Sequence, residues 1–215
     1  DRLLREFGAR VNVGKPRVVH RETIQKRVES EGLFEKELGE KKHFGHVKLL
    51  LEPQGRGRGV EIVRGLEDGP AVAEEFLAAV EEGINEALFG GVVAGYPVID
   101  IRVVILEVRM KEGETTVLGC KIAASTAFRE GCLKADPVLL EPIMLVTVTT
   151  PSEFMGEVIG DINARRGVIQ AISPKGLISE IKARVPLKEM FGYSTDIRSA
   201  TQGRAVFTMQ FSAYD

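Results

Sequence analysis

The 215-residue sequence has no tryptophan, only two cysteines and only three histidines. So few histidines and cysteines leave little to hold a metal. His43 and His46 are three apart, but no cysteine or acidic pattern of the zinc type surrounds them. Cys120 and Cys132 fall in one helix-like stretch, about 18 Å apart at the helical rise per residue, too far for a disulfide. Reduced thiols and a cytoplasmic location follow, with both cysteines read as small buried apolar groups. No apolar run reaches the roughly 18–20 residues that span a bilayer, and no charged-then-apolar signal segment opens the chain. A G-x-x-x-x-G-K-[ST] phosphate loop is missing. So are a nucleophile elbow and a Cys–His pairing. Asp100 and Asp196 are isolated acids. No catalytic constellation emerges, and the chain reads as no enzyme in itself.

What remains is ordinary globular material, 44% hydrophobic and 28% charged, enough for real cores in one or two domains. The net charge of −2 is unevenly spread. From Asp1 to Lys48, twelve Lys/Arg stand against eight Asp/Glu; from Val60 to Asp100, nine acids stand against Arg64 alone. Different faces should meet different surroundings, although a solvated face is the plainer reading of the acidic helix. The opening "DRLLREFG" has helical spacing and half an element's worth of core, so the chain is expected to be cut from something longer.

"ARVNVGKPRVVHRETI" reads as two extended pieces broken at Gly14-Lys15-Pro16. "HVKLLLEP" is a strand ending at Pro53, "QGRGRG" a basic hairpin turn, and "VEIVRGL" another strand. Pro70 should open a helix carrying Val72, Phe76, Val80, Ile84 and Leu88 on one stripe. "VIDIRVVILEV" is a long strand with one end deeply buried. "MKEGETT" is a polar loop, with Thr115 or Thr116 as the cap of a second helix, "VLGCKIAASTAFREGCLKA". That helix is rich in Ala and Gly on more than one side and should pack closely on a sheet. "DPVLLEP" looks like a boundary.

After it the order is β-α-β-β-α-β. Strand "IMLVTVTT" leads to a helix capped by Ser152 and stopped at "RRG". "VIQAIS" and "LISEIKARVP" form a hairpin across Pro174-Lys175-Gly176. "FGYSTDIRSATQGRA" supplies the second helix and "AVFTMQF" the last strand. This order predicts a ferredoxin-like sheet with two helices on one face. The second helix is a poor core-former. Its outer face is expected to hold Tyr193, Ser194, Thr195, Arg198, Ser199, Thr201, Gln202 and Arg204, small donors and arginines suited to phosphate and ribose. A polar solvent face is the alternative.

The strings "AGYPVID", "KIAASTAFREG", "DPVLLEPIM", "GEVIGDINARRG", "VPLKEMFGYSTDIRSATQGRA" and "FTMQF", with "VNVGKPRVVHRETI" and "FGHVKLLLEP", resemble the C-terminal half of bacterial elongation factor G. The resemblance covers nearly the whole chain and implies an α+β fold of two domains. Residues 1–15 would end domain III. Residues 16–136 would form domain IV, a βαβ-type domain like ribosomal protein S5, whose tip enters the ribosomal decoding region. Residues 137–215 would form the ferredoxin-like domain V, touching ribosomal RNA. The implied partners are the ribosome, through RNA of both subunits and the tRNA and mRNA of the decoding region, and no membrane. No cofactor is implied for this portion; GTP, Mg²⁺ and the GTPase belong to the family's N-terminal half.

On this resemblance the tip residues are Lys41, Lys42, His43, Lys111, Glu112 and Gly113. The ribosomal RNA contacts of domain V are Arg165, Arg166, Tyr193, Ser194, Arg198 and Ser199. Both tip loops depart from the family. "GEKKHFGHV" stands where members usually have "GGRGQYGHV", and Lys111 stands where many carry a histidine. The chain could therefore belong to a divergent paralogue. The implied function is tRNA–mRNA translocation. The alternative within the family is ribosome recycling with the recycling factor; that of another class is a stand-alone RNA-binding or scaffold module.

Overall fold

A computed structural model describes residues 18–66 and 69–215. The opening helix, the domain III tail and the extended pieces expected before Val18 lie outside them.

The first half is a four-stranded sheet under two helices. Its strands are β2 (Val28–Leu38), β3 (Lys41–Pro53), β4 (Val60–Arg64) and β5 (Ile101–Arg109), in the order β2-β3-β5-β4. Only the β4–β5 pair is parallel. Helix α1 (Glu74–Gly90) buries Val80, Ile84 and Leu88 of the expected stripe and adds Leu77, while Phe76 is half-buried and Val72 precedes the helix. It begins at Glu74 rather than Pro70, with an extended, uncapped Ala73 before it. The carboxylates of Glu74 and Glu75 favour this positive helix end in place of a cap. Helix α2 (Val117–Lys134) is capped by Thr116, whose hydroxyl accepts from the Gly119 N–H.

Strand β2 has no hydrophobic alternation to announce it. Its inward positions, Val28, Ser30, Gly32 and Phe34, include two of the smallest side chains because α2 lies at backbone distance from the sheet. A Cβ at Gly32 would collide with the Ala123 carbonyl, and one at Gly45 with the Gly119 carbonyl. The Ala- and Gly-rich composition of α2 serves this approach, as the sequence suggested. Cys120 and Cys132 are both buried and free. Burial pushes their thiols up to about 11 and about 12; the Glu22 charge adds to the rise at Cys132. Both should therefore resist a coloured aromatic disulfide reagent at pH 8 until denaturant is added. Fast labelling of the native chain would show that α2 opens readily.

The second half has β7 (Pro142–Pro151), α3 (Met155–Ala164), β8 (Val168–Lys175), β9 (Ile178–Pro186), α4 (Tyr193–Ala200) and β10 (Val206–Tyr214). The antiparallel order β10-β7-β9-β8 is the expected ferredoxin-like sheet. Its core is Val146, Val148, Val158, Ile162, Ile181, Ala183, Val185, Tyr193 and Ile197. Ser152 does not cap α3. It opens a 3-10 turn, and its hydroxyl pairs with that of Ser179 at 2.9 Å. The β8 strand runs through Pro174, which an edge strand tolerates.

A two-stranded ribbon joins the halves: β1 (Arg21–Thr23) pairs with β6 (Val138–Leu140). No described helix is long and apolar enough to cross a membrane. Among the described residues, no group of three or more His, Cys, Asp or Glu is placed to hold a metal.

Candidate nucleic-acid interface

At the far end of the first half, β2 turns into β3 through Gly39, whose φ of 66° suits glycine. Leu38 pairs directly with Lys41. Lys41, Lys42 and His43 are thus the first residues of β3, not a loop before it. The 110–116 loop lies alongside. The Phe44 N–H donates to the Glu114 carbonyl at 2.9 Å, and the Thr116 N–H to the Phe44 carbonyl at 3.1 Å. The two tip segments named from the sequence are therefore one surface.

Its charge is largely satisfied internally. Lys111 Nζ lies 2.7 Å from Glu35 and 2.8 Å from Glu114, and Lys42 Nζ lies 3.2 Å from Glu114. The hydrogen bonds of Lys111 and Lys42 hold the Glu114 carboxyl below the usual carboxylate range. The Thr116 hydroxyl accepts from Gly119 and lies 2.9 Å from His43 Nδ1. A hydroxyl has one proton and two lone pairs, so it can serve the Gly119 N–H and either tautomer of His43 at once. Lys41, Glu112 and Gly113 are exposed. A cavity of about 200 Å³ is lined by Glu35, Lys36, Glu37, Lys42, His43, Lys111 and Glu114. Glu35 was invisible to the sequence reading because β2 was; Glu114 stands in the quoted loop and could have been paired with Lys111 by its i, i+3 spacing.

In the second half the named residues separate. Ser194, Arg198 and Ser199 stand exposed on α4, and Arg198 makes no ion pair among the described residues. Tyr193 and Thr201 do not share that outer face. Tyr193 is 2% exposed, its ring edge-on to Phe207 at 4.9 Å, and burial pushes its hydroxyl up to about 12. The buried Thr201 hydroxyl donates to the Ile197 carbonyl at 2.6 Å. With few other large apolar groups on α4, the aromatic ring is drawn into the core.

Arg165 is also turned inward. It binds Asp161 at 3.0 Å, the Glu189 carbonyl at 2.6 Å, the Phe191 carbonyl at 3.3 Å and the Asp196 carboxylate, and lies over the Tyr193 ring. It clamps α3 to α4. Arg166, at φ 58°, binds Glu141 at 2.9 Å and Glu189 at 3.2 Å.

A βαββαβ domain presenting a polar helix, beside a sheet domain whose tip joins the start of β3 to the 110–116 loop, is the pattern of a translation elongation factor. The family model for elongation factor G, domain IV, matches residues 16–136, and that for the elongation factor G C-terminus matches residues 138–215. Elongation factor G 2 of Syntrophus aciditrophicus is 67% identical over all 215 residues, which are 32% of that protein. Elongation factor G of Aquifex pyrophilus is 47% identical over the same span, 31% of its length. A crystal structure from Thermus thermophilus superposes with a TM-score of 0.88 at 36% identity, covering 98% of this chain and 31% of that one. This chain belongs to the elongation factor G family, and spans about a third of the length of these relatives.

Proposed function

We propose that this chain is the ribosome-binding C-terminal part of a translational GTPase that promotes tRNA–mRNA translocation during elongation. In this reading residues 1–15 end domain III, residues 16–136 are domain IV and residues 137–215 are domain V. The GTPase, with its GTP and Mg²⁺, lies in the remainder of the parent. This portion performs no catalysis and supplies contacts to the ribosome in the cytoplasm. The observation that carries the reading is the joined tip, where β3 and the 110–116 loop form one surface at the end of the first half away from the β1–β6 ribbon. Such a tip can enter a crowded site as a single body. Exposed ion pairs are weak, so RNA phosphates can take Lys42 and Lys111 from Glu35 and Glu114. Domain V contributes Ser194, Arg198 and Ser199 to ribosomal RNA, while Arg165 holds α4 in place for them.

The purified full-length factor, run with GTP on pre-translocation ribosomes, should move tRNA rapidly. Subunit splitting with recycling factor, without movement, would replace this reading with the recycling one. Replacing Arg198 with Ala should flatten the salt dependence of ribosome binding by about one phosphate contact. An unchanged slope in a folded variant would make this part of α4 a solvent face.

A further inference from the structure

The basic loop Gly55–Gly59 has the sequence of a hairpin turn. It is not one: β3 and β4 flank β5 in the sheet, so the loop crosses over the end of β5. A crossing loop of alternating Gly and Arg needs an anchor, and it has one. The Gly59 N–H donates to Asp100 Oδ1 at 2.9 Å, and the Gln54 N–H to the Asp100 carbonyl at 2.8 Å. The Gln54 side-chain amide donates to the Gly59 and Ile101 carbonyls at 3.3 and 3.0 Å. Asp100 is 1% exposed and takes φ 56° to do this. Between the anchors, Arg58 N–H bonds the Gly55 carbonyl at 3.1 Å, closing a four-residue turn with Gly57 at φ 82°. The loop is a fixed platform from which two exposed arginines project.

The platform faces the other half of the chain. Arg56 Nε lies 3.4 Å from Asp215 Oδ1, and the Arg21 guanidinium lies 4.8 Å from the centre of the neighbouring Tyr214 ring. Arg21 and Arg56 thus reach adjacent residues, Tyr214 and Asp215, at the end of β10, with Arg58 on the same turn as Arg56. Among the described residues, neither Arg21 nor Arg58 forms an ion pair, and the Arg56–Asp215 pair is exposed on both sides. Two arginines without an ion pair and a third held only by an exposed carboxylate, at the end of the first half opposite the tip, answer no structural need of the sheet.

We propose that Arg56 and Arg58, with Arg21 beside them, form a second RNA-binding site, which grips the phosphodiester backbone of a folded RNA. Arginine suits this because its planar fork holds phosphate oxygens in pairs. Glycine on either side of each arginine lets the RNA backbone approach closely; a Cβ at Gly57 or Gly59 would meet nothing within 4 Å, so the space is open. The site deepens the ribosome reading and rests on it for where such RNA is found. It would hold the factor by its middle while the tip works elsewhere.

The test uses the 215-residue chain, vacant ribosomes and purified tRNA, with binding measured over a range of salt. The double variant Arg56→Ala/Arg58→Ala should flatten the plot of log affinity against log salt by about two, and Arg56→Lys/Arg58→Lys should restore most of the slope. A change on vacant ribosomes assigns the phosphates to ribosomal RNA; a change on tRNA alone assigns them to tRNA. An unchanged slope on both, in a variant that melts like the parent, overturns the site and leaves the ribosome reading standing. If the parent chain ignores ribosomes yet the variant loses tRNA affinity, the ribosome reading falls and this site survives.

Discussion

Replacing Gly45 with valine is expected to lower the melting temperature by roughly 10–20 °C, equivalent to about 4–5 kcal/mol. Gly45 on β3 faces the first turn of α2. A Cβ there would run into the Gly119 carbonyl, and a Cβ at Gly119 would run into the Phe44 carbonyl. Backbone meets backbone, so no side chain can turn aside to absorb the change. The helix must leave the sheet, exposing Cys120, Ala123 and Ala124, all now fully buried. Overpacking a core with softer neighbours costs about 1–3 kcal/mol; this position lacks that relief. Gly156 gives the contrast, since a Cβ there meets nothing within 4 Å in α3. Gly156→Ala should be neutral or stabilising by up to about 1 kcal/mol. Thermal melts followed by circular dichroism decide it. A Gly45→Val melt within about 3 °C of the parent would refute the close contact. The tip hangs on the same contact, because Thr116 caps α2 and holds His43; surviving Gly45 variants should also bind ribosomes less well.

The second large effect belongs to Glu22, a fully buried carboxylate in the ribbon that joins the halves. Its Oε1 accepts the N–H groups of Val92 and Val93, both at 2.7 Å, and its Oε2 those of Ala94 and Tyr96, both at 2.9 Å. The loop Gly91–Tyr96 is wrapped around this one anion. Burial pushes the carboxyl up, but the four N–H bonds together outweigh it and leave its pKa below the ordinary value. Glu22→Ala would strand four buried donors. Each stranded group costs about 1–3 kcal/mol less whatever water returns, so a loss of about 3–5 kcal/mol is expected. A carboxyl depressed in the folded state stabilises above its unfolded pKa, and the contribution fades as pH falls through the folded value. The gap in urea midpoint between the parent and Glu22→Gln should therefore be widest at neutral pH and shrink below about pH 4. An equal gap at pH 3 and pH 7 would show that the charge carries none of the effect.

The sequence by itself determined the elements whose burial is written in their own side chains. The stripe on α1, the apolar run of β5, the Thr116 cap and the whole βαββαβ order of the second half were legible for that reason. Each depends on residues within a few positions of one another, and the 3.6- and two-residue periods report burial directly. The two segments expected side by side could also be picked out, because the strings that mark them are local, and the structure does join them.

What lay beyond reach had partners far along the chain or no side chain at all. Strand β2 buries glycine and serine, so closeness between backbones replaced the hydrophobic signal. Glu22 looks like any exposed acid until residues 92–96, some 70 positions on, fold around it. Lys111 reads as a free cation until Glu35 is placed 2.7 Å away across 76 residues. Arg165 reads as an RNA contact until the Glu189 and Phe191 carbonyls and the Asp196 carboxylate claim its guanidinium. The GRGRG loop reads as a hairpin until the sheet order sends it across β5. For the charged residues only the assembled fold decides which remain unpaired, since a charge is freed or satisfied by whatever the tertiary structure brings within 4 Å of it.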